Sequence, residues 1–174
     1  CFPIFESGCG TSLIKIEDST FITLERLEIK NAHYRPIEVL NCSFVTIKNC
    51  NVKNSTLDAI YVGKSKHVMI INNIVEEAPD TGIDVGWSEN VTINNNTIQH
   101  ANNGITIAHS SKKLIVSNNT ILNSYWKGIN VYNTYENALV NLTISNNRIE
   151  EFGVWRKPMI EGLRLSNGTV IQLY

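Results

Sequence analysis

The sequence predicts an all-β protein, a single-stranded parallel β-helix of about seven coils with roughly 23 residues and three short strands in each coil. Three observations lead to this prediction. Apolar rows recur at a nearly fixed step, short runs alternate apolar and polar residues, and asparagine is in excess in pairs that suit turns. No segment keeps a capped apolar period of 3.6 residues, so no amphipathic helix is expected.

The repeat appears as rows that each begin at an isoleucine. Successive row starts are separated by 23, 23, 23, 22, 24 and 31 residues. The row starts are Ile14, Ile37, Ile60, Ile83, Ile105, Ile129 and Ile160. A period in this range indicates a solenoid, and a 23-residue turn with three strands leaves no room for a helix. Coils that stack by parallel pairing lie about 4.8 Å apart.

Equivalent positions of successive rows form columns of one chemical character. Aliphatic columns are predicted to point inward, as in Ile60, Ile83 and Ile105. One column predicts a ladder of side-chain amides, because identical amides satisfy one another from coil to coil. That ladder comprises Asn73, Asn96, Asn119 and Asn147. Three glycines precede row starts and fit a sharp turn. They are Gly82, Gly104 and Gly128.

These rows and the asparagine column resemble the right-handed parallel β-helix repeats of the pectate-lyase-like superfamily. The similarity is closest to the short repeat unit of nitrous-oxide-accessory-type proteins, polysaccharide lyases and mannuronan epimerases, and it covers about residues 12–165. The resemblance implies right-handed coils, in line with the general crossover preference. The Asp-Pro-His-Asp motif of epimerases and lyases is absent, as is the adjacent aspartate pair of polygalacturonase-like hydrolases.

The chain reads as one domain over residues 1–174. Residues 1–11 are a candidate N-terminal cap, and residues 12–165 form the coils. Residues 166–174 still read as strand without a polar cap, so we expect a continuing parent chain or end-to-end stacking with another copy. The first residue is Cys1 rather than methionine, which predicts a processed or excised piece of a longer precursor.

Charge and apolar content limit the partners. The formal net charge is −1, so no basic field favours nucleic acid. No apolar run approaches the roughly 20 residues that a membrane span needs. The four cysteines lack a CxxC spacing, which argues against zinc. Cys1–Cys9 and Cys42–Cys50 are candidate disulfides, and buried free thiols are an equal alternative for the second pair.

The outward column of the first strand and the turn after it supply candidate catalytic residues. Asp84 is the candidate base for proton abstraction beside a uronate carboxylate, with Tyr61 next to it. Lys64 and His109 are candidate cations for the developing enolate. No cofactor is required, although acidic side chains of this face are candidate calcium ligands. They are Asp58, Asp80 and Asp84. The alternative is that Asp84 only solvates an exposed strand.

Aromatic residues concentrate where the repeat loses its regularity. The turn between Ile129 and Leu142 spans 13 residues, and the segment from Ile149 to Ile160 spans 11. Insertions in solenoids collect on the binding face, and exposed rings stack on sugars. The candidate carbohydrate-binding residues are Trp87, Trp126, Tyr132, Tyr135 and Trp155. The alternative is that these rings close the core at an irregular end.

Seven Asn-X-Ser/Thr sequons exceed the number expected by chance. The repeat explains part of this excess, because Asn95 and Asn118 share one column. The better glycan acceptors fall in turns: Asn41, Asn90, Asn141 and Asn167. They predict a secreted or surface glycoprotein, with an extracellular or cell-surface location.

Two functions from different classes fit these patterns. The first is an extracellular β-helix that binds or processes a polysaccharide through the Asp84 strand face and the aromatic loops. If it is an enzyme, its activity would be lyase-like or glycoside hydrolase-like. The second is a structural surface module, such as a rod segment of an adhesin, spike, fibre or cell-envelope glycoprotein. An open groove beside Asp84 favours the first, and a covered face favours the second.

Overall fold

The computed structural model describes residues 10–132, 140–152 and 170–171, and these residues form a parallel β-solenoid. Every strand pair among them is parallel. The strands are β1 (Ile14–Glu17), β2 (Thr20–Glu25), β3 (Glu28–Ala32), β4 (Ile37–Leu40), β5 (Ser43–Lys48), β6 (Asn51–Ser55), β7 (Ile60–Gly63), β8 (Lys66–Ile71), β9 (Ile74–Gly86), β10 (Glu89–Asn94), β11 (Thr97–Ala108), β12 (Lys112–Ser117), β13 (Thr120–Ser124), β14 (Lys127–Tyr132), β15 (Val140–Ser145), β16 (Arg148–Phe152) and β17 (Val170–Ile171).

Two hydrogen-bonded sheets wind around the core. The smaller sheet stacks the second strand of each coil in the order β17-β15-β12-β10-β8-β5-β2. The larger sheet holds the first and third strands, which β9 and β11 join without a break. Three strand segments per coil are therefore confirmed. In β9 and β11, the third segment of one coil runs directly into the first segment of the next coil.

The predicted register is confirmed from Ile14 to Ile129. Each predicted row start pairs with the next one, through Ile37, Ile60, Ile83 and Ile105. These five steps correspond to about five turns, fewer than the seven coils that the sequence predicts. The last predicted row start, Ile160, lies outside the described residues.

The 22- and 24-residue steps arise at two defined places. The register shifts by one residue between Ala101 and Asn103, which shortens that coil. In the next coil Asn103 pairs with Lys127, 24 residues later, and the extra residue falls at Tyr125 and Trp126. The repeat therefore absorbs each length change at a corner while the strands keep their inward and outward alternation.

The core consists of the predicted aliphatic columns. Residues of the first strand such as Ile60, Ile83 and Ile105 are fully buried, as are Val68 and Ile93 of the second strand. A column of alanine and serine is also buried, where the bend leaves little room. Apolar burial of this kind stabilises a domain by roughly 25 cal/mol for each Å² removed from water.

The predicted asparagine ladder is present and fully hydrogen-bonded at one corner. From Asn73 to Asn147, the Nδ2 of one asparagine donates to the Oδ1 of the asparagine in the next coil at 2.9–3.0 Å. The backbone N–H of the first asparagine donates to the same Oδ1 at 2.9 Å. Each Nδ2 also donates to a core carbonyl of an earlier coil, such as Ile70 O for Asn96. Buried amides in this position cost little because their hydrogen bonds are made.

A second ladder, made of serines, lies at another corner. The backbone N–H of Ser65 donates to Ser88 Oγ at 3.1 Å, and that of Ser88 donates to Ser111 Oγ at 3.2 Å. Each hydroxyl in turn donates to a carbonyl of its own corner, for example Ser65 Oγ to Gly63 O at 2.8 Å. The sequence analysis did not identify this column.

Cys42 and Cys50 are buried free thiols, so their candidate disulfide is wrong. The reason is that each cysteine stands in the column of a different ladder, Cys42 one coil before Ser65 and Cys50 one coil before Asn73. The N–H of Cys42 donates to Ser65 Oγ, and the N–H of Cys50 donates to Asn73 Oδ1. Their thiols donate to carbonyls two residues earlier, as the ladder serines do. Cys1 and Cys9 lie outside the described residues.

The asparagine excess has a backbone cause. Among the described residues, 23 non-glycine residues have positive φ, and eleven of them are asparagine. Asparagine tolerates this left-handed conformation better than other residues with a Cβ. All six described sequon asparagines have φ between 51° and 57°. The sequons therefore reflect turn geometry at least as much as any use as glycan acceptors.

The column of Gly82, Gly104 and Gly128 has a different cause from the sharp turn that the sequence predicts. In the described residues only Gly10 has positive φ among glycines. A Cβ on Gly104 would lie 2.5 Å from Gly128 O and 2.5 Å from Ile121 Cγ2. A Cβ on Gly82 would meet Gly104 O at 2.7 Å. Glycine is needed because the coils approach too closely there for any side chain.

Candidate functional site

The outward side of the first-strand segments carries a cluster that we call the Asp84 face. It consists of Arg35, Glu38, Asp58, Tyr61, Thr81, Asp84 and Thr106. Parallel register places Glu38, Tyr61, Asp84 and Thr106 in one column, one coil apart. The other members lie two positions before a row start. The solenoid thus brings together residues that are far apart in sequence.

Arg35 links the carboxylates of this face. Its Nη1 donates to Glu38 Oε1 at 2.7 Å, and its Nε donates to Asp58 Oδ2 at 3.0 Å. The guanidinium carbon lies 3.9 Å from the centre of the Tyr61 ring, which is a cation–π contact. Ser12 Oγ donates to the other carboxylate oxygen of Glu38 at 2.6 Å. Arg35 is therefore fixed by contacts with Glu38, Asp58 and the Tyr61 ring.

Asp84 differs from Asp58 in its surroundings. Burial, reinforced by the charge of Asp58, raises the pKa of Asp84 to about 7. Its Oδ1 is buried and has no hydrogen-bond partner. Burial also raises the pKa of Asp58, to about 6, although Arg35 opposes the shift. Near neutral pH Asp84 holds a proton much of the time, which suits a proton donor better than the base that the sequence predicts.

Two glycines follow Tyr61 and Asp84 on their strands. Gly63 and Gly86 are paired in register on the same outward face. A Cβ on Gly63 would meet the Tyr61 hydroxyl at 2.9 Å, so the tyrosine lies across this glycine. Burial and the nearby Asp84 raise the pKa of Tyr61, which keeps its hydroxyl protonated. The tyrosine hydroxyl is thus available as a hydrogen-bond donor on this face.

The corner after the first strand carries Trp87 and His109. Their rings stack with centroids 3.9 Å apart and an interplanar angle of 8°. Burial lowers the pKa of His109, so this ring is mostly neutral at pH 7. Lys64 is exposed at the same corner, one coil earlier. The charges that most affect the pKa of Asp84 are those of Asp58, Arg35 and Asp80. Neither Lys64 nor His109 is therefore the main positive group beside Asp84.

The three candidate calcium ligands do not form a metal site. Among the described residues, no three His, Cys, Asp or Glu side chains are grouped so that they could hold a metal ion. Asp58 is committed to Arg35, while Asp80 is exposed. The residues present do not fit a calcium ion, so no step of the chemistry below depends on one.

The predicted aromatic residues are distributed over two places. Trp87 is 41% exposed at the corner beside Asp84, and Trp126 is 60% exposed at the insertion of the 24-residue coil. Lys127 Nζ lies 5.9 Å from the Trp126 ring centre. Tyr132 ends β14. Tyr135 and Trp155 lie outside the described residues, so their role in binding stays a prediction.

Three of the four preferred glycan acceptors lie in the described residues. Asn41, Asn90 and Asn141 are exposed. Asn90 lies at the edge of a groove on the outer side of β5, β8 and β10, with a volume of about 300 Å³. The groove is lined by Phe44, Thr46, His67, Met69, Asn90 and Thr92. Asn167 lies outside the described residues, and glycan attachment stays a prediction at all four positions.

Arg35 and Glu38 are the site residues that sequence reasoning missed. Both were visible as members of outward columns, but nothing in the repeat marked them as partners. Their contact depends on side-chain reach across the coil and between coils, since Arg35 also bonds Asp58, 23 residues later. The period of the repeat was the one available signal, because a separation of 23 residues predicts neighbours in adjacent coils.

The fold and its outward face together define a right-handed β-helix protein. The chain belongs to the family described as right handed beta helix region, which matches residues 6–149. No curated protein sequence gives a significant match.

A solved structure with a similar fold is the enzymatically active domain of tailspike protein 2 of bacteriophage CBA120. The identity is 15% and the TM-score is 0.55, over 78% of this chain and 23% of that one. This chain therefore corresponds to less than a quarter of that structure, and the likeness concerns the fold. Within the described residues, no helix has the length and apolar character to cross a membrane.

Proposed function

We propose that this chain binds a polysaccharide on the Asp84 face and cleaves it, with Asp84 as the proton donor. The observation that carries the proposal is the state of Asp84. It is a largely buried carboxyl whose pKa is raised to about 7, with one oxygen unpartnered, on an outward face beside Tyr61. Perturbed acids of this kind occur preferentially at functional sites.

The chemistry is hydrolysis of a glycosidic bond. Asp84 transfers its proton to the glycosidic oxygen while the bond from that oxygen to the anomeric carbon breaks. A water molecule supplies hydroxide to the anomeric carbon, and its remaining proton restores the acid form of Asp84 through solvent. Asp58 acts as a positioning residue, because its negative charge favours the protonated form of Asp84.

Binding would use the hydroxyl and aromatic groups around Asp84. Tyr61 presents a half-buried hydroxyl on the face, whereas Thr81 and Thr106 are buried and their hydroxyls lie 3.4 Å from each other. Trp87 offers an exposed ring at the corner that adjoins Gly86. Sugar rings have apolar C–H faces that pack on aromatic rings, while their hydroxyls pair with polar side chains.

The family and the predicted location are consistent with this proposal. The repeats resemble those of polysaccharide lyases and epimerases, and the similar tailspike structure is described as enzymatically active. An extracellular or cell-surface location, as the sequons predict, would give access to polysaccharides. The lyase-like alternative is less favoured, because the cation nearest to Asp84 on the face, Arg35, is already shared by two carboxylates.

The test is an activity and binding screen with a matched pair of variants. Wild type, Asp84→Asn and Asp18→Asn are assayed against a panel of polysaccharides for new reducing ends and for binding on a glycan array. Asp18 is an exposed aspartate in a left-handed turn, where asparagine is well tolerated. We expect Asp84→Asn to lose about 10²-fold or more of the activity and Asp18→Asn to keep it.

Two results would overturn the proposal. The first is equal activity of wild type and Asp84→Asn. The second is the absence of both binding and cleavage across the panel, which would leave the structural surface module as the better interpretation.

A further inference from the structure

We infer that the Asp84 face selects neutral glycans and rejects uronates. This inference rests on the proposed function, and it narrows the substrate class of the same site. It departs from the uronate substrate that the repeat resemblance suggests. Two features of the face support it: the charges that the face carries and the contacts that its cations already make.

The face carries more negative charge than positive charge. Glu38 and Asp58 are carboxyl groups on or beside its central column, Asp80 adds a third close enough to affect Asp84, and Asp84 itself adds charge only when it is deprotonated. Arg35 is the cation among them. A uronate brings a further carboxylate to each sugar, so an oligouronate would meet like charge along its length.

Arg35 is already engaged by two carboxylates of the face. It bridges Glu38 and Asp58 through Nη1 and Nε, and its guanidinium lies over the Tyr61 ring. Its side chain is 18% exposed. A uronate carboxylate would therefore share a positive charge that two carboxylates already neutralise, and displacing either one would leave it buried without its partner.

The other cations lie farther from Asp84, Lys127 two coils beyond Thr81 in the same column and Lys64 at the corner. Lys127 Nζ donates to Asn130 Oδ1 at 3.3 Å, and Asn130 is two coils beyond Asp84 in the register. Two coil spacings correspond to about 10 Å. Lys64 belongs to the corner column, and its side chain is exposed. Neither lysine is among the principal charges acting on Asp84.

The test compares substrates that differ only in charge. Oligogalacturonides and oligomannuronates are used beside their carboxyl-reduced counterparts, in which each carboxylate is replaced by a hydroxymethyl group. Affinity is measured by calorimetry at pH 7 and moderate salt, and cleavage is followed with the same ligands. For a linkage that the protein binds, we expect the reduced form to bind at least 10-fold more tightly than the uronate.

Variants test whether the carboxylates of the face cause the preference for the carboxyl-reduced ligand. Glu38→Gln and, separately, Asp58→Asn should each reduce the preference for the neutral form several-fold, while Asp18→Asn leaves it unchanged. Glu38→Gln keeps the test valid if Asp58→Asn does not fold. Equal affinity for both forms, or tighter binding of the uronate, overturns this inference and leaves the proposed function standing. If neither the uronate nor its carboxyl-reduced form binds for any linkage, this inference and the proposed function are both overturned.

Discussion

Asn96 and Asn119 are joined twice across adjacent coils. Asn96 Nδ2 donates to Asn119 Oδ1 at 3.0 Å, and the backbone N–H of Asn96 donates to the same oxygen at 2.9 Å. One amide oxygen therefore satisfies a side chain and a backbone group of the coil before it. Since both residues are 1% exposed, neither interaction can be replaced by water.

Replacing Asn96 by alanine should destabilise the solenoid severely. The substitution leaves the N–H and Nδ2 of Asn73 without their acceptor, and it leaves Ile70 O without its donor. Each unsatisfied buried group costs about 1–3 kcal/mol. We expect the free energy of unfolding to fall by roughly 3–5 kcal/mol, measured by urea unfolding followed by circular dichroism.

The neighbouring Asn95 provides the control. It is exposed with φ of 56°, and Asn95→Gly keeps the left-handed conformation available. This variant should change the stability by less than about 1 kcal/mol. A cost for Asn96→Ala no larger than that of Asn95→Gly would contradict the importance of the ladder.

Gly104→Ala should destabilise the fold far more than Gly86→Ala. A Cβ at position 104 meets the backbone oxygen of Gly128 at 2.5 Å, whereas at position 86 it meets only the ring carbon Cδ2 of His109, at 3.3 Å. Backbone cannot yield as a side chain can, so we expect a loss of about 3 kcal/mol or more for Gly104→Ala and under about 1 kcal/mol for Gly86→Ala. Thermal unfolding of the two variants under the same conditions decides this, and equal melting temperatures would refute it.

The pH dependence of stability should report on Asp84. Its pKa in the folded chain is raised to about 7, from an ordinary value of 3.8. The folded state thus binds the proton more tightly than the unfolded state, and the stability from this group declines as the pH rises from about 4 to about 7. The slope is at most about 1.4 kcal/mol per pH unit for one group.

Asp84→Asn isolates this contribution, because asparagine has the same shape and does not titrate. The difference in unfolding free energy between wild type and Asp84→Asn should fall between pH 5 and pH 7 and level off above that range. Other carboxyl groups are the same in both proteins and cancel. A difference that is constant with pH would show that Asp84 has an ordinary pKa.

Arg26→Asn should stabilise the protein. Arg26 has φ of 56° and occupies the column that continues with Asn49, Asn72 and Asn95, all left-handed. Asparagine accepts this conformation more readily, so we expect a gain of about 1 kcal/mol. Lys30→Asn is the control, because Lys30 is also exposed and paired with a glutamate but does not have positive φ. Equal effects of the two substitutions on the melting temperature would argue against a backbone cause.

Trp87→Asn tests the aromatic corner beside Asp84. Asparagine keeps the left-handed turn at φ of 52° but removes the ring that stacks on His109. We expect glycan affinity to fall about 5-fold, because an exposed ring contributes about 1 kcal/mol to stacking. Trp126→Ala removes another exposed ring farther from Asp84 and should have less effect. A larger loss for Trp126→Ala in the same titration would move the binding site to the 24-residue coil.

The sequence predicts the coil and its core well because they follow from a period. Ile60, Ile83 and Ile105 repeat at the step that the register requires, and the four ladder asparagines are identical residues in one column. The serine ladder was missed because Cys42 interrupts its column between Ser19 and Ser65 and because serines are common in turns. The sharp-turn explanation of Gly104 was wrong because steric crowding between coils is invisible in one sequence.

The site was predicted less completely than the fold. Asp84 and Tyr61 were selected as candidates from the sequence because they lie in an outward column without a structural reason for their identity. The protonation of Asp84 depends on burial and on Asp58, and the role of Arg35 depends on which carboxylates it reaches. Such properties arise from side-chain geometry between coils, which a repeat pattern does not contain.

The two corner ladders hold successive coils in register. Each added repeat of 23 residues would therefore lengthen every outward column by one coil spacing of about 4.8 Å. A duplication within the gene could then lengthen the face by one row while leaving Asp84 and Arg35 in their present relation. Chain length in this architecture therefore sets the length of the outward face.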